Sequence, residues 1–130
     1  MGYKYGFEKL EVWQDSRVFV KDIYTITKLY PTEERYNLCS QIQRASISIV
    51  SNIAEGLSRN SDKEKIRFIE IAYGSLMEVY CQLQISIDLS YISSQQSDLL
   101  KLSIDKIANK LNALNRSIKN RSKTDESLNS

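Results

Sequence analysis

The chain has 130 residues, of which 42% are hydrophobic and 26% charged, and its formal net charge is only +2. This length fits one domain with its own core, and the balance excludes a polycationic or a disordered chain. Four glycines and one proline are too few for the frequent turns of an all-β domain, so the composition predicts an all-α protein.

The first part of the chain predicts an extended segment and a long helix. Residues 1–8, MGYKYGFE, are expected to form an extended N-terminal lead-in. Apolar residues at helical spacing then predict a first helix over residues 9–30, with Trp13 as a core anchor. Pro31 ends this helix, because proline disfavours the helical conformation of the residue before it.

A second helix is predicted over residues 33–57, with Thr32 as its N-terminal cap and Gly56 near its C-terminal end. Its central sequence, LCSQIQRASISIVSNIAEGL, places an apolar residue at alternating steps of four and three, which is one face of a helix. Toward its end this face includes Asn52 and adjoins Glu55, so we expect polar groups close to the core.

Two more helices follow, and each has the sequence of a capping box at its start. Ser61 and Glu64 precede a third helix over residues 62–91, in which Gly74 and Ser75 leave room for a neighbouring helix. Ser93 and Gln96 precede a fourth helix over residues 94–119 with a regular heptad seam. The sequence thus predicts an antiparallel up-down-up-down four-helix bundle over residues 9–120 and a polar, disordered tail over 121–130.

The two cysteines and the absence of long apolar segments indicate the cellular location. Cys39 and Cys81 both lie within apolar helical patterns, which predicts two small buried side chains rather than a disulfide. The N-terminal residues lack the apolar core of a secretory signal, and no stretch approaches the roughly 20 apolar residues of a membrane span. We therefore expect a cytoplasmic protein with no membrane partner.

Catalysis is not indicated by any pattern in the sequence. The chain has no histidine, which removes the commonest acid–base group and metal ligand, and it has no glycine-rich phosphate loop. We expect no catalytic residue, no metal and no cofactor. Glu55 and Glu78 lie near predicted inward faces, and a buried acid needs a basic partner. We predict a structural polar pair between Arg44 and Glu78, with Arg67 as a second basic candidate.

The C-terminal part of the fourth helix holds a run of basic residues, named here the basic run. Between residues 106 and 124 it contains no acid. Cations near a helix C-terminus are favoured by the helix dipole, so a solvated face explains the run without any ligand. The other interpretation is contact with nucleic-acid phosphates, and the absence of interleaved aromatic residues argues against base stacking on this helix. The candidate nucleic-acid-binding residues are Lys106, Lys110, Arg116, Lys119, Arg121 and Lys123.

Three segments carry a resemblance to a known family. They are LEVWQDS, YPTEERYNLCSQIQRASISIVSNIAEG and IRFIEIAYGSLMEVYCQL, and the match covers nearly all of residues 7–119. Together they resemble the 23S rRNA intervening-sequence protein family, also called the four-helix bundle protein family. The resemblance implies a small bacterial four-helix bundle that assembles into a homopentameric ring. The family has no established catalytic residues, so the resemblance transfers none.

From these patterns we expect a non-catalytic, nucleic-acid-associated protein that binds RNA or DNA through phosphate contacts. The alternative is a protein–protein interaction or assembly module that does not bind nucleic acid. Self-association requires an exposed apolar strip. The candidates for that strip are Tyr3, Tyr5, Phe7, Val18, Leu57, Ile71 and Tyr80.

Overall fold

The computed structural model describes residues 2–129, and it describes side chains as far as residue 124. Four α-helices follow one another: α1 (Glu11–Thr27), α2 (Leu38–Leu57), α3 (Asp62–Asp88) and α4 (Ser94–Asn129). Short 3-10 helices at Gly6–Lys9 and Thr32–Glu34 precede α1 and α2. Within residues 2–129 there is no strand, which confirms the all-α prediction.

All four helices contribute to one aliphatic core. The heptad positions recognised in the sequence supply it, because residues at steps of three and four share one helix face. The most completely buried large side chains are Phe19 and Ile23 from α1, Ile42, Ile49 and Ile53 from α2, Ile69, Leu76 and Leu83 from α3, and Ile107 and Leu111 from α4.

The first helix ends at Thr27, three residues before the predicted end. The amides of residues 28–30 donate to carbonyls three residues earlier, so the chain tightens and leaves the helix before Pro31. Tyr30 thereby turns inward, and its hydroxyl donates to Ser86 Oγ at 2.6 Å. Burial raises the pKa of Tyr30. This contact fixes the end of α1 to α3.

The second helix begins at Leu38, five residues later than predicted. Thr32 does not cap it, because Thr32 lies in a separate 3-10 helix whose residues are followed by a turn. Asn37 occupies the N-cap position of α2, but its side chain accepts no hydrogen bond from the first turn. The start of α2 is therefore not capped by a side chain.

The glycine that allows two helices to pack closely is Gly56, not Gly74 as predicted. Gly56 keeps a negative φ, and a Cβ atom there would lie 2.6 Å from Phe68 Cβ, so its role is close approach of α2 to α3. Gly74 is exposed, and a Cβ there would have no neighbour within 4 Å. The prediction that another helix packs closely against Gly74 is therefore wrong. The hydroxyl of the adjacent Ser75 does contact α2, at 2.9 Å from Ser48 Oγ.

The start of α3 matches half of its predicted capping box, and the start of α4 matches all of it. The amide of Glu64 donates to Ser61 Oγ at 3.2 Å. The amide of Gln96 donates to Ser93 Oγ at 3.0 Å, and Gln96 Oε1 accepts from the amide of Ser93 at 2.7 Å. These bonds satisfy amides that have no partner within the helix.

The fourth helix extends well past the end predicted for it. It continues to Asn129, where the sequence predicts a disordered tail over residues 121–130, of which Ser130 is outside the described residues. Its 36 residues contain no glycine or proline that would end a helix. At about 1.5 Å per residue α4 is roughly twice as long as α1, so its C-terminal part has no counterpart in α1.

Three smaller expectations also differ from the structure. Residues 6–8 of the predicted extended lead-in form a 3-10 helix together with Lys9, and the Phe7 ring packs edge-on against Trp13 at 5.1 Å. Trp13 itself is only half-buried at the edge of the core. Cys39 is buried as predicted, but Cys81 is exposed because it lies on the face of α3 opposite Val79 and Leu83.

Candidate nucleic-acid interface

The basic run lies on α4, and most of its cations are paired with acids on other helices. Lys110 Nζ donates to Asp15 Oδ2 at 2.6 Å and to Glu11 Oε2 at 2.9 Å. Lys106 Nζ lies 3.6 Å from the other oxygen of Asp15. The two hydrogen bonds raise the pKa of Lys110. A run that has no acid in sequence therefore has acids beside it in space.

The far end of the run is paired with α3. Arg121 donates to Asp62 Oδ1 at 2.7 Å, and this hydrogen bond lowers the pKa of Asp62. Lys119 Nζ lies 3.7 Å from Glu70 Oε1. Both pairs join α4 to the N-terminal half of α3. They are half-exposed, so they hold charge on the surface without contributing much to stability.

Arg116 and Lys123 are the remaining members of the run. Both are exposed, and neither has an ion-pair partner among the side chains of residues 2–124. Seven residues separate them, so they project from the same face of α4, roughly 10 Å apart along its axis. The six predicted residues thus divide into four paired cations and two that are available to an external anion.

The predicted polar pair inside the bundle is wrong. Arg44 and Glu78 are both exposed, and no ion pair joins them in the described part of the chain. Each lies two positions from a core residue, Ile42 or Leu76, and a step of two places a side chain on the opposite helix face. Glu55 is also exposed, and it pairs with Arg59 at 3.1 Å.

Asn52, the other polar residue of the predicted inward face, makes a local contact. Its Nδ2 donates to the carbonyl oxygen of Ser48 at 2.8 Å and to Ser48 Oγ at 2.9 Å. The amide therefore belongs to a small network between α2 and α3 that includes Ser75. We interpret this network as structural, because two of its hydrogen bonds lie within α2 and the third joins α2 to α3.

An apolar groove of about 400 Å³ runs between α1 and α4; we call it the α1–α4 groove. Ile26, Leu29, Leu99 and Leu100 form its apolar lining. Leu29 is 55% exposed and Leu99 76% exposed. Heptad reasoning missed Leu99 because it adjoins the seam residue Leu100.

Of the strip predicted from sequence, Phe7 and Leu57 are half-buried. The other members are exposed: Tyr3, Tyr5, Val18, Ile71 and Tyr80.

A second cavity, of about 550 Å³, lies where α1 passes into α2; we call it the α1–α2 cleft. Three tyrosines and two cations line it: Tyr24, Tyr30 and Tyr36 with Lys28 and Arg35. No periodic sequence pattern predicts this cleft, because these residues come from the end of one helix and the turn before the next. The one available signal was the alternation of aromatic and basic residues between positions 24 and 36.

Among the described residues, no three side chains of the types Cys, Asp and Glu come together as a group that could hold a metal ion. No helix in the same part of the chain combines the length and the apolar character needed to cross a bilayer.

The chain matches a protein-family model and is similar in fold to a solved structure. The model of the 23S rRNA-intervening sequence protein family matches residues 8–113. A crystal structure from Bacteroides thetaiotaomicron, of a protein with unknown function from the S23 ribosomal protein family, superposes with a TM-score of 0.75. It shares 24% identity over 81% of this chain and 95% of its own, which is similarity of fold. No curated protein matches the chain.

Proposed function

The chain belongs to the 23S rRNA-intervening sequence protein family, and on that premise we propose that it is a non-catalytic protein that binds RNA or DNA through phosphate contacts. The absence of histidine from the sequence supports a non-catalytic role. We also propose a cytoplasmic location. The available cations of α4 are the proposed contacts.

We further propose that the helices form an antiparallel up-down-up-down bundle and that five bundles assemble into a ring. Contacts along α1 support the antiparallel order: its first turns pair with Lys106 and Lys110, while Leu29 near its end lies beside Leu99. A ring would repeat the two available cations of α4 five times. Phosphate binding grows steeply with the number of cations that act together, so repetition supports the proposed activity.

The single observation that carries the proposal is that Arg116 and Lys123 are exposed and form no ion pair with the described side chains. An exposed cation that forms no ion pair with the described side chains keeps its counterions, and it releases them when a phosphate replaces them. A cation already paired with a carboxylate releases fewer. We therefore assign the phosphate contacts of α4 to Arg116 and Lys123.

The test is the salt dependence of binding to labelled double-stranded RNA. Replacing Arg116 and Lys123 together by glutamine should reduce the slope of log affinity against log salt by about two. Lys63→Gln is the matched control, because Lys63 is exposed and has no ion-pair partner among the described side chains but lies on α3. An unchanged slope in the double variant would contradict this assignment, and no RNA binding at low salt would contradict the proposed function.

The α1–α4 groove supports a second candidate, an assembly module whose partner is a protein. Leucines as exposed as Leu29 and Leu99 on adjacent helices are typical of surfaces covered in an assembly. Sedimentation distinguishes the cases. A ring should sediment as a species about five times the 15.0 kDa chain, and Leu99→Glu should dissociate it if the groove is the subunit interface. A 15.0 kDa species at micromolar concentration would contradict the pentamer.

A further inference from the structure

The α1–α2 cleft exposes two aromatic rings on one surface. Tyr36 is 80% exposed, more than any other large hydrophobic side chain in the described residues, and Tyr24 is 41% exposed. The Arg35 guanidinium carbon lies 5.3 Å from the centroid of the Tyr36 ring, which keeps a cation against an open aromatic face. A ring left in water at the rim of a cavity is available for stacking with another planar group.

The cations of the cleft are not held in ion pairs in the described part of the chain, although the Glu34 carboxylate acts on the inner wall, where burial and then this charge raise the pKa of Cys39. Neither Lys28 nor Arg35 has an ion-pair partner among the described side chains, and no Asp or Glu lines the cleft. Glu33 and Glu34 are close in sequence, but they are not part of the lining. The cleft thus combines two cations that are in no described ion pair with two exposed aromatic rings.

Hydrogen bonds hold the inner wall of the cleft in one arrangement. Gln43 Nε2 donates to Thr27 Oγ1 at 3.0 Å, and Thr27 Oγ1 donates to the carbonyl oxygen of Tyr24 at 3.1 Å. The thiol of Cys39 points to the carbonyl oxygen of Thr27 at 3.8 Å. Because α1 and α2 are joined in this way, the rim residues are presented by a fixed frame and need little ordering when a ligand binds.

The side chains of the cleft select one class of ligand. A phosphate alone would use the cations but leave the tyrosines exposed, and an apolar peptide would leave the cations without partners. A nucleotide has both a flat π face and an anionic group, which aromatic and basic side chains recognise together in single-stranded nucleic acids. Double-stranded nucleic acid does not offer that face, because its bases are stacked within the helix.

We propose that the α1–α2 cleft binds an unstacked base and its adjoining phosphate from single-stranded RNA or DNA. Tyr36 and Tyr24 stack on the base, and Lys28 and Arg35 contact the phosphate. This site rests on the proposed nucleic-acid-binding function, and it adds a preference for single strands that phosphate contacts on α4 alone do not give.

Fluorescence anisotropy with a labelled oligouridylate of about twelve nucleotides tests the site, using the full chain. Tyr36→Ala should weaken binding about tenfold, since stacking on one aromatic ring has an effect of this size. Tyr36→Phe should bind like the wild type, because phenylalanine keeps the stacking face. The matched control is Tyr80→Ala: Tyr80 is 39% exposed and has Lys101 over its ring at 5.8 Å, but it lies on α3 away from the cleft. Its affinity should change less than about twofold.

The possible outcomes separate this site from the proposed function. If the oligouridylate binds but Tyr36→Ala and Tyr24→Ala bind equally well, the cleft assignment is wrong and binding through α4 stands. If neither the oligouridylate nor a duplex binds at low salt, the proposed function itself is wrong. Two further results would overturn the cleft as a single-strand site: uridine monophosphate competing as well as the oligouridylate, or Tyr36→Ala sedimenting as a smaller species than the wild type.

Discussion

The basic run of α4 and the α1–α2 cleft contain the same kinds of cation in different electrostatic surroundings. In the run, four of six cations lie beside carboxylates of α1 or α3. In the cleft, Lys28 and Arg35 line a cavity that no Asp or Glu lines. The run is conspicuous in sequence and its cations are mostly in ion pairs in space, while the cleft is inconspicuous in sequence and its cations are in no ion pair with the described side chains. Available charge, rather than charge density along the chain, indicates where an anion can bind.

The largest expected effect on nucleic-acid affinity comes from removing the acids that pair with two cations of the basic run, so that these cations, like those of the cleft, form no ion pair with the described side chains. Replacing Glu11 by Gln and Asp15 by Asn together removes the partners of Lys106 and Lys110. Two cations then become available, so the affinity for nucleic acid at low salt should rise about tenfold and the salt slope should steepen by about two. Anisotropy titrations at several salt concentrations measure both quantities.

The control for that variant removes the same charge elsewhere. Asp22→Asn with Asp105→Asn neutralises two exposed acids that have no ion pair in the described part of the chain. Net charge changes equally, but no lysine is released, so the gain in affinity should be much smaller. Equal gains in the two double variants would show that total charge, rather than local pairing, controls binding.

A smaller effect is expected when one lysine of each region is replaced: the lysine of the run should matter more for folding stability, and the lysine of the cleft more for binding. Lys110→Gln should lower the free energy of unfolding by about 1 kcal/mol, because Lys110 joins α4 to two acids of α1 in a partly buried site. Lys28→Gln should leave stability within about 0.5 kcal/mol, because Lys28 forms no ion pair with the described side chains. Urea denaturation measures stability, and oligouridylate binding should show the reverse order. If Lys110→Gln weakens oligouridylate binding more than Lys28→Gln does, the proposed difference between a paired run and a ligand-binding cleft is wrong.

The smallest effect is a pH dependence at the far end of the run. The hydrogen bond from Arg121 lowers the pKa of Asp62 in the folded chain. A depressed folded pKa contributes stability above the unfolded value, about 3.9, and that contribution is lost as the pH falls through the folded pKa. The stability difference between wild type and Asp62→Asn should therefore be present at neutral pH and shrink below about pH 4. Denaturation at pH 7 and pH 3 measures it.

Asp22→Asn is the control for the pH series, because Asp22 is exposed and unpaired among the described residues. Its stability difference from the wild type should not follow the same decline. High salt should also reduce the Asp62 effect, because exposed ion pairs are screened. A difference at Asp62 that persists unchanged at pH 3 would show that the ion pair with Arg121 is not its source.

The sequence determined the parts of this protein that depend on local periodicity. Steps of three and four located the buried faces of all four helices, and the pairs Ser61–Glu64 and Ser93–Gln96 located the starts of α3 and α4. Such features involve residues a few positions apart, so a linear pattern contains them. The end of α4 was missed because polar residues without glycine or proline are compatible with both a helix and a disordered tail.

Only the tertiary structure decided which polar groups are available. The partners of the basic run come from α1 and α3, as far as 99 residues away along the chain. The α1–α2 cleft requires the turn before α2 to fold against the end of α1, and Gly56 is explained only once Phe68 is placed beside it. Coulombic and steric contacts depend on distance in space, and periodicity along one helix does not specify what lies across from it.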